Sequence, residues 1–263
     1  MSELLQLDIN ENVAALVLSR PGKRNALKRQ TLAELGAAID AILRTPGIRV
    51  VVLRGAGSVF CAGMDLEEMQ QRATAPDSQD QWQLDSEIYC EALTKLYTLD
   101  VPTIAVVQGA AVAGGVGLVL ACDTVLASQS AFFMLPEPMR GITAAMVTPL
   151  LIHRVGAGPA AHLLLSGRRW SAAEALQFGL CHQMVADDRL EESLRELVLS
   201  IQSGSPQALA ITKRHLRNMS ATDIPEQLRQ SMQISAEARQ TDDAREGLAA
   251  FLEKRLPSWQ PAP

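Results

Sequence analysis

The chain has 263 residues, a formal net charge of −5, 48% hydrophobic and 20% charged residues. That length fits one large domain, or one plus an appendage, of ordinary globular composition. The acidic balance gives no general attraction to nucleic acid or anionic membrane, although a local basic site for a phosphorylated ligand remains open. No uncharged apolar run reaches the roughly 18 residues of a membrane span, and the acidic, alternating start is unlike a signal peptide. A cytoplasmic location is expected. Aromatics make up only 4%, so the core has to be built from Ala, Leu, Val and Ile.

In chain order, Leu4 to Ile9 and Val13 to Leu18 are short apolar runs around Asn10-Glu11-Asn12, which predicts a β-hairpin. Leu27 to Leu43 has helical spacing and stops at Pro46-Gly47. Val50 to Leu53 reads as a buried strand. Residues 71 to 80, QRATAPDSQD, read as a mobile loop. Leu84 to Leu99 is helical, Thr103 to Val107 a strand, and Thr124 to Ala127 another. This alternation predicts an α/β architecture. From about Gly141 onward the pattern is mostly helical, and Gly204-Ser205-Pro206 marks a candidate boundary before amphipathic helices that end near Leu256.

Two small-residue turns each follow a buried strand: FCAGMDL after VVLRGAG, and VAGGVG after TIAVVQG. Glycine turns that open a helix expose backbone N–H groups. Two of them meeting in space could aim two donors at one oxygen, as an oxyanion hole does. Close packing of helix on strand selects the same residues. Neither a GxGxxG fingerprint nor a P-loop ending is present, so no nucleotide cofactor is expected.

Five segments together resemble one known family: SRPGKRNAL (Ser19 to Leu27), FCAGMDLEEM (Phe60 to Met69), PTIAVVQGAAVAGGVGLVLACD (Pro102 to Asp123), FFMLPEPMRGI (Phe132 to Ile142) and REGLAAFLEKR (Arg245 to Arg255). In this order they resemble the crotonase, or enoyl-CoA hydratase/isomerase, superfamily over nearly the whole chain. The resemblance implies a spiral of ββα units over residues 1–203 and a C-terminal helical trimerisation region over 204–263, in a homotrimer or dimer of trimers. It implies an acyl-CoA substrate, coenzyme A being part of that substrate rather than a cofactor, and no metal, nucleic acid or membrane partner. The backbone N–H groups of Met64 and Gly114 would hold the thioester oxygen. Lys23, Arg24, Ala26, Ala62 and Leu66 would line the CoA path, and Phe251 and Lys254 could reach a neighbouring subunit's CoA. Glu67 departs from the pattern, standing where some members carry a Lys.

Family hydratases typically use two glutamates. One matches Glu137, set behind an apolar run and between two prolines, surroundings that raise a carboxyl pKa and suit proton transfer near neutral pH. The other position holds Gly117. A glycine inside a helix invites a reason: close packing, or room in an acyl pocket formed with Ala113 and Val116. One glutamate can isomerise a 3-enoyl thioester or hydrate a 2-enoyl thioester. The resemblance points to hydration, and within it to single-glutamate hydratases of 3-branched glutaconyl-CoA (methylglutaconyl- or isohexenylglutaconyl-CoA). An isomerase using Glu137 and a non-catalytic binding protein are the alternatives. Cys61, Cys90, Cys122 and Cys181 read as buried reduced thiols. The four histidines lack metal-ligand spacing, Asp123 reads as a helix end or backbone contact, and Asp187-Asp188 as a helix start.

Overall fold

The computed structural model describes residues 4–219 and 223–260. The elements run β1 (Leu5–Asn10), β2 (Val13–Leu18), α1 (Arg29–Arg44), β3 (Val50–Gly55), α2 (Leu66–Ala73), α3 (Ser78–Thr98), β4 (Thr103–Val107), β5 (Ala110–Val112), α4 (Gly114–Leu120), β6 (Thr124–Ser128) and β7 (Phe132–Met134). They continue as α5 (Thr148–Val155), α6 (Ala157–Ser166), β8 (Arg169–Ser171), α7 (Ala172–Gln177), β9 (Gln183–Val185), α8 (Leu190–Gln202), α9 (Pro206–Met219), α10 (Ile224–Ala238) and α11 (Asp242–Leu252).

Six strands form one sheet in the order β1-β2-β3-β4-β6-β9. The predicted hairpin is its antiparallel edge, with Leu5 opposite Leu18. The remaining neighbours are parallel: Val13 lies opposite Val50, Val51 opposite Thr103, and Ile104 opposite Thr124. Parallel strands covered on both faces carry continuous apolar runs, and every residue of β4 is buried. Leu53 and Ala105 belong to the main core with Leu35 of α1 and Leu93 of α3. Val52, Ile104 and Val106 face the other way, against Leu190, Leu194 and Leu197 of α8.

After its inner strands the chain steps sideways into a second layer. Following β4 the step is made at Gly109, whose φ is +59° and where a Cβ would overlap the carbonyl oxygen of Ser58. The second layer holds the sheet β5-β7-β8. Single bridges extend it, joining Cys61 to Ala111 and Leu27 to Met64. Successive passes of the chain at Leu27, Cys61–Met64 and β5 therefore lie side by side, which is the spiral of ββα units expected. It brings the FCAGMDL and VAGGVG turns together.

Several boundaries differ from the sequence reading. The expected loop over 71–80 shrinks to residues 74–77, because α2 runs to Ala73 and α3 begins at Ser78. Arg72 explains the difference: it bonds both Glu68 (2.8 Å) and Asp85 (2.9 Å), which ties the end of α2 to α3. Trp82, buried at 3% exposure, anchors the first turns of α3. Helix α1 starts at Arg29 rather than Leu27, since Leu27 is spent on the bridge to Met64. Short strands β8 and β9 interrupt the helical half and complete the two sheets.

The chain beyond Gly204 is helical and packs back on the same core. Buried Lys213 of α9 reaches the Val101 carbonyl (2.9 Å) and Asp123 (2.6 Å). Asp123 does contact backbone, accepting from the Thr103 N–H at 2.7 Å. Helix α10 packs along α3, and α11 docks on residues 137–140. There Gly247 lies so close that a Cβ would overlap the Arg140 carbonyl. No helix of the described residues is long and apolar enough to cross a membrane.

Gly109→Ala combines a positive φ with a clash, and should lower the unfolding free energy by roughly 1–3 kcal/mol. Urea unfolding measures this; wild-type stability would show that the step at Gly109 has slack.

Candidate active site

The first turn is held from both sides. Asn25, 1% exposed, donates from Nδ2 to the carbonyls of Ala56 (2.9 Å) and Val59 (2.7 Å) and accepts from the Arg20 N–H (2.9 Å). This pins the SRPGKRNAL loop. The Leu27 N–H donates to Gly63 O (2.8 Å), and the Asp65 N–H to Leu27 O (2.9 Å). Asp65 then caps α2, accepting from the N–H groups of Glu67 and Glu68 and pairing with Arg20 at 2.9 Å. Met64 lies between these anchored residues.

The second turn presses against the first. Gly63 has φ +88°, and a Cβ there would lie 2.7 Å from the Ala113 Cβ and 3.4 Å from Gly114 N. Ala113 itself sits at φ 52°, ψ −126°. A non-glycine residue in so sparse a region costs on the order of 1–3 kcal/mol and persists only where its surroundings hold it. Its N–H donates to Met134 O (2.9 Å), which fixes the turn to β7. Gly115 lets α4 settle on Cys61, whose carbonyl would be 2.7 Å from an added Cβ. The N–H groups of Met64 and Gly114 have no hydrogen-bond acceptor among the described residues.

Met64, Ala113 and Gly114 line a cavity of about 40 Å³ together with Glu137. Glu137 opens a 3-10 turn (Glu137–Arg140) directly after β7 and is 5% exposed. Its Oε2 has no hydrogen-bond partner among the described residues. Burial pushes its pKa up to about 7, while Arg140 and Arg239 pull in the opposite direction. An acid poised at this value can both take and return a proton near neutral pH.

Not every residue singled out in the sequence lies at the cavity. Leu66 lines it with Ala113, but Val116 is fully buried in the core, and Gly117 is not exposed to the cavity either. The expectation that Gly117 leaves space for the acyl chain is corrected: a Cβ there would overlap the hydroxyl of Tyr89. Tyr89 fills that space and donates to the Gly114 carbonyl at 2.6 Å. On the CoA side, exposed Lys23 pairs with Glu67 at 2.7 Å, across the two loops, and Arg24 accepts the Ala62 N–H on its carbonyl (3.0 Å). Both polar backbone groups of Ala26 are engaged, by Lys23 and Arg20. Phe251 stacks on Arg140, with the guanidinium carbon 4.4 Å from the ring centroid, and Lys254 follows at φ 56°.

The lining residues that were not anticipated include three able to donate hydrogen bonds from long side chains: Tyr89, Arg140 and Arg239. Arg140 lay inside the recognised PEPMRGI segment. Helical spacing marks Tyr89 and Arg239 only as belonging to helices. Cys61 is no nucleophile, because burial pushes its thiol up to about 12. Among the described residues no group of three His, Cys, Asp or Glu side chains is placed to hold a metal ion. His182 accepts the Val125 N–H at 2.9 Å, and Asp187 accepts that of Ser130 at 3.0 Å.

The profile of the enoyl-CoA hydratase/isomerase family matches residues 8–262. The chain belongs to this family. It is 35% identical over 266 residues to the carnitinyl-CoA dehydratase of Proteus mirabilis, and 34% identical over 265 residues to the 2,3-dehydroadipyl-CoA hydratase of Escherichia coli K12; each match covers 99% of both chains. An enoyl-CoA hydratase/isomerase structure from Xanthobacter autotrophicus Py2 superposes with a TM-score of 0.88 at 29% identity, covering 100% of both chains. The fold is the crotonase fold, and the protein is an enzyme with enoyl-CoA hydratase-type, carbon–oxygen lyase chemistry.

Gly117→Ala should destabilise the protein by roughly 1–3 kcal/mol through overpacking against Tyr89. In a Tyr89→Phe background, which removes the opposing oxygen, the same substitution should be milder. Denaturant unfolding of the two single variants and the double variant tests the contact; additive losses would contradict it.

Proposed function

We propose that the enzyme adds water across the double bond of a 2-enoyl-CoA, with Glu137 as its acid and base. The observation that carries this reading is the buried, half-unpartnered carboxylate of Glu137, which shares a small cavity with the free N–H groups of two turns. In this mechanism the ionised Glu137 takes a proton from water as its oxygen bonds to the β-carbon. The electron pair of the double bond moves towards the thioester oxygen, where the N–H groups of Met64 and Gly114 meet the developing charge. Protonated Glu137 then returns a proton to the α-carbon. Tyr89 gives its own proton to the Gly114 carbonyl, so its oxygen keeps lone pairs with which to accept from that water.

The acyl chain in this reading is a 3-branched glutaconyl chain, such as methylglutaconyl or isohexenylglutaconyl. An apolar recess of about 10 Å³ between Leu66, Met69, Trp82, Ile142 and Leu248 adjoins the cavity and suits a methyl-sized branch. The name of the Escherichia coli relative, a 2,3-dehydroadipyl-CoA hydratase, supports a chain that ends in a carboxylate. The SRPGKRNAL loop takes the CoA moiety, Lys23 being released from Glu67 to a phosphate. No separate cofactor enters the mechanism. Exposed Ile211, Leu216 and Met219 on α9 support a trimeric assembly in which that helix is covered.

Mass spectrometry in H2(18)O tests the reaction. One labelled oxygen should enter a branched glutaconyl-CoA; a 2-enoyl product formed from a 3-enoyl-CoA without oxygen gain would make the enzyme an isomerase. Glu137→Gln should lower kcat by about 10²–10⁴-fold while acyl-CoA still binds. The base is the ionised form, and its pKa is raised to about 7. Hydration kcat/KM should therefore fall about tenfold per unit as pH drops below that value. A profile flat down to about pH 5 would contradict the assignment of the base.

A further inference from the structure

Of the side chains lining the cavity, three are charged: Glu137, Arg140 and Arg239. Two cations thus face one acid, and that acid is only partly ionised near neutral pH. Among the described residues neither arginine forms an ion pair, although Glu137 attracts both and Asp85 attracts Arg239 through space. Arg140 has no ion pair and no side-chain hydrogen bond among the described residues, and the Phe251 ring lies over its guanidinium. Arg239 caps the C-terminal end of α10 and donates from Nη1 to Ser86 Oγ at 3.0 Å. It lies 5.6 Å from the Trp82 ring centroid and makes no ion pair among the described residues. The acid nearest in the chain to Ser86, Asp85, is already shared by Arg29 and Arg72. Both guanidinium groups also line the adjoining apolar recess, so they stand where it meets the reaction cavity.

A guanidinium withdrawn from water without an anion is unfavourable, and its planar fork of donors matches a carboxylate in two-point contact. The other walls, Leu66, Met69 and Ile142 among them, are apolar and suit an acyl chain. We propose that Arg140 and Arg239 form a subsite for a carboxylate carried on the acyl chain, so that the enzyme selects CoA thioesters of unsaturated dicarboxylic acids. This deepens the hydratase reading and rests on it. The carboxylate supplies a second anion beside Glu137 for the two cations, and the small apolar recess beside the arginines takes a methyl-sized part of the chain.

Chain-matched substrates provide the test. Hydration of glutaconyl-CoA and 2,3-dehydroadipyl-CoA is compared with that of 2-pentenoyl-CoA and 2-hexenoyl-CoA, in wild type, Arg140→Gln, Arg239→Gln and Arg239→Lys. Wild type should favour a diacid by about tenfold or more in kcat/KM. Each Gln substitution should reduce that ratio by about tenfold or more, and Lys should restore part of it. Because Arg239 also joins α10 to α3, a variant could fail to fold. Competitive inhibition of the wild type by glutaryl-CoA and butyryl-CoA is therefore measured as well, with tighter binding expected for glutaryl-CoA. Equal use of diacids and monoacids, or equal inhibition, overturns the subsite. So does an equal loss on both substrate types, which would assign the arginines to CoA phosphates or to the ionisation of Glu137. If none of the enoyl thioesters gains water, the hydratase reading fails instead.

Discussion

The site depends on one carboxyl group kept away from water. Glu137 is removed from solvent shortly after β7, one of its oxygens lacks a partner among the described residues, and burial moves its pKa up to about 7. Such a group is unfavourable to bury and is retained only by a rigid frame. The frame is visible residue by residue. Ala113 is strapped to Met134 on β7, and α11 lies on the turn that carries Glu137. The spiral supplies the strapping, since consecutive passes of the second layer hydrogen-bond to one another.

The same frame explains why the two turns meet. Each inner strand ends in a step to the second layer, and the turns that follow are neighbours in space although about fifty residues apart in sequence. Gly63 is where they touch, and only a residue without a side chain allows Ala113 and Gly114 to come so near. Ala113 holds an unfavourable backbone conformation as a result. That conformation places Gly114 in the lining of the cavity, beside Met64 of the first turn.

Much of this was legible in the sequence. The apolar runs of β3 and β4, the hairpin, the two glycine turns and the proline-bounded Glu137 all depend on local chemistry that a short window contains. What escaped the reading depends on partners distant in the chain. The polar stretch after Met69 looked like a loop because the acids that hold Arg72 lie on two different helices. Gly117 stayed open between close packing and space because nothing local shows that Tyr89, on α3, fills it. Arg239 was only one residue of an amphipathic stretch, and the packing of α10 against α3 places it at the cavity. The C-terminal helices looked like an appendage for assembly, yet α10 and α11 also close the site within the one chain.

The ionisation of Glu137 is the most direct test of this account. Difference infrared spectroscopy across a pH titration, on protein carrying 13C-labelled glutamate, follows carboxyl protonation without substrate. The account predicts one glutamate titrating near pH 7 in the wild type and no such transition in Glu137→Gln. If every glutamate instead titrates in the ordinary carboxyl range in both proteins, Glu137 is not the poised acid and base described here.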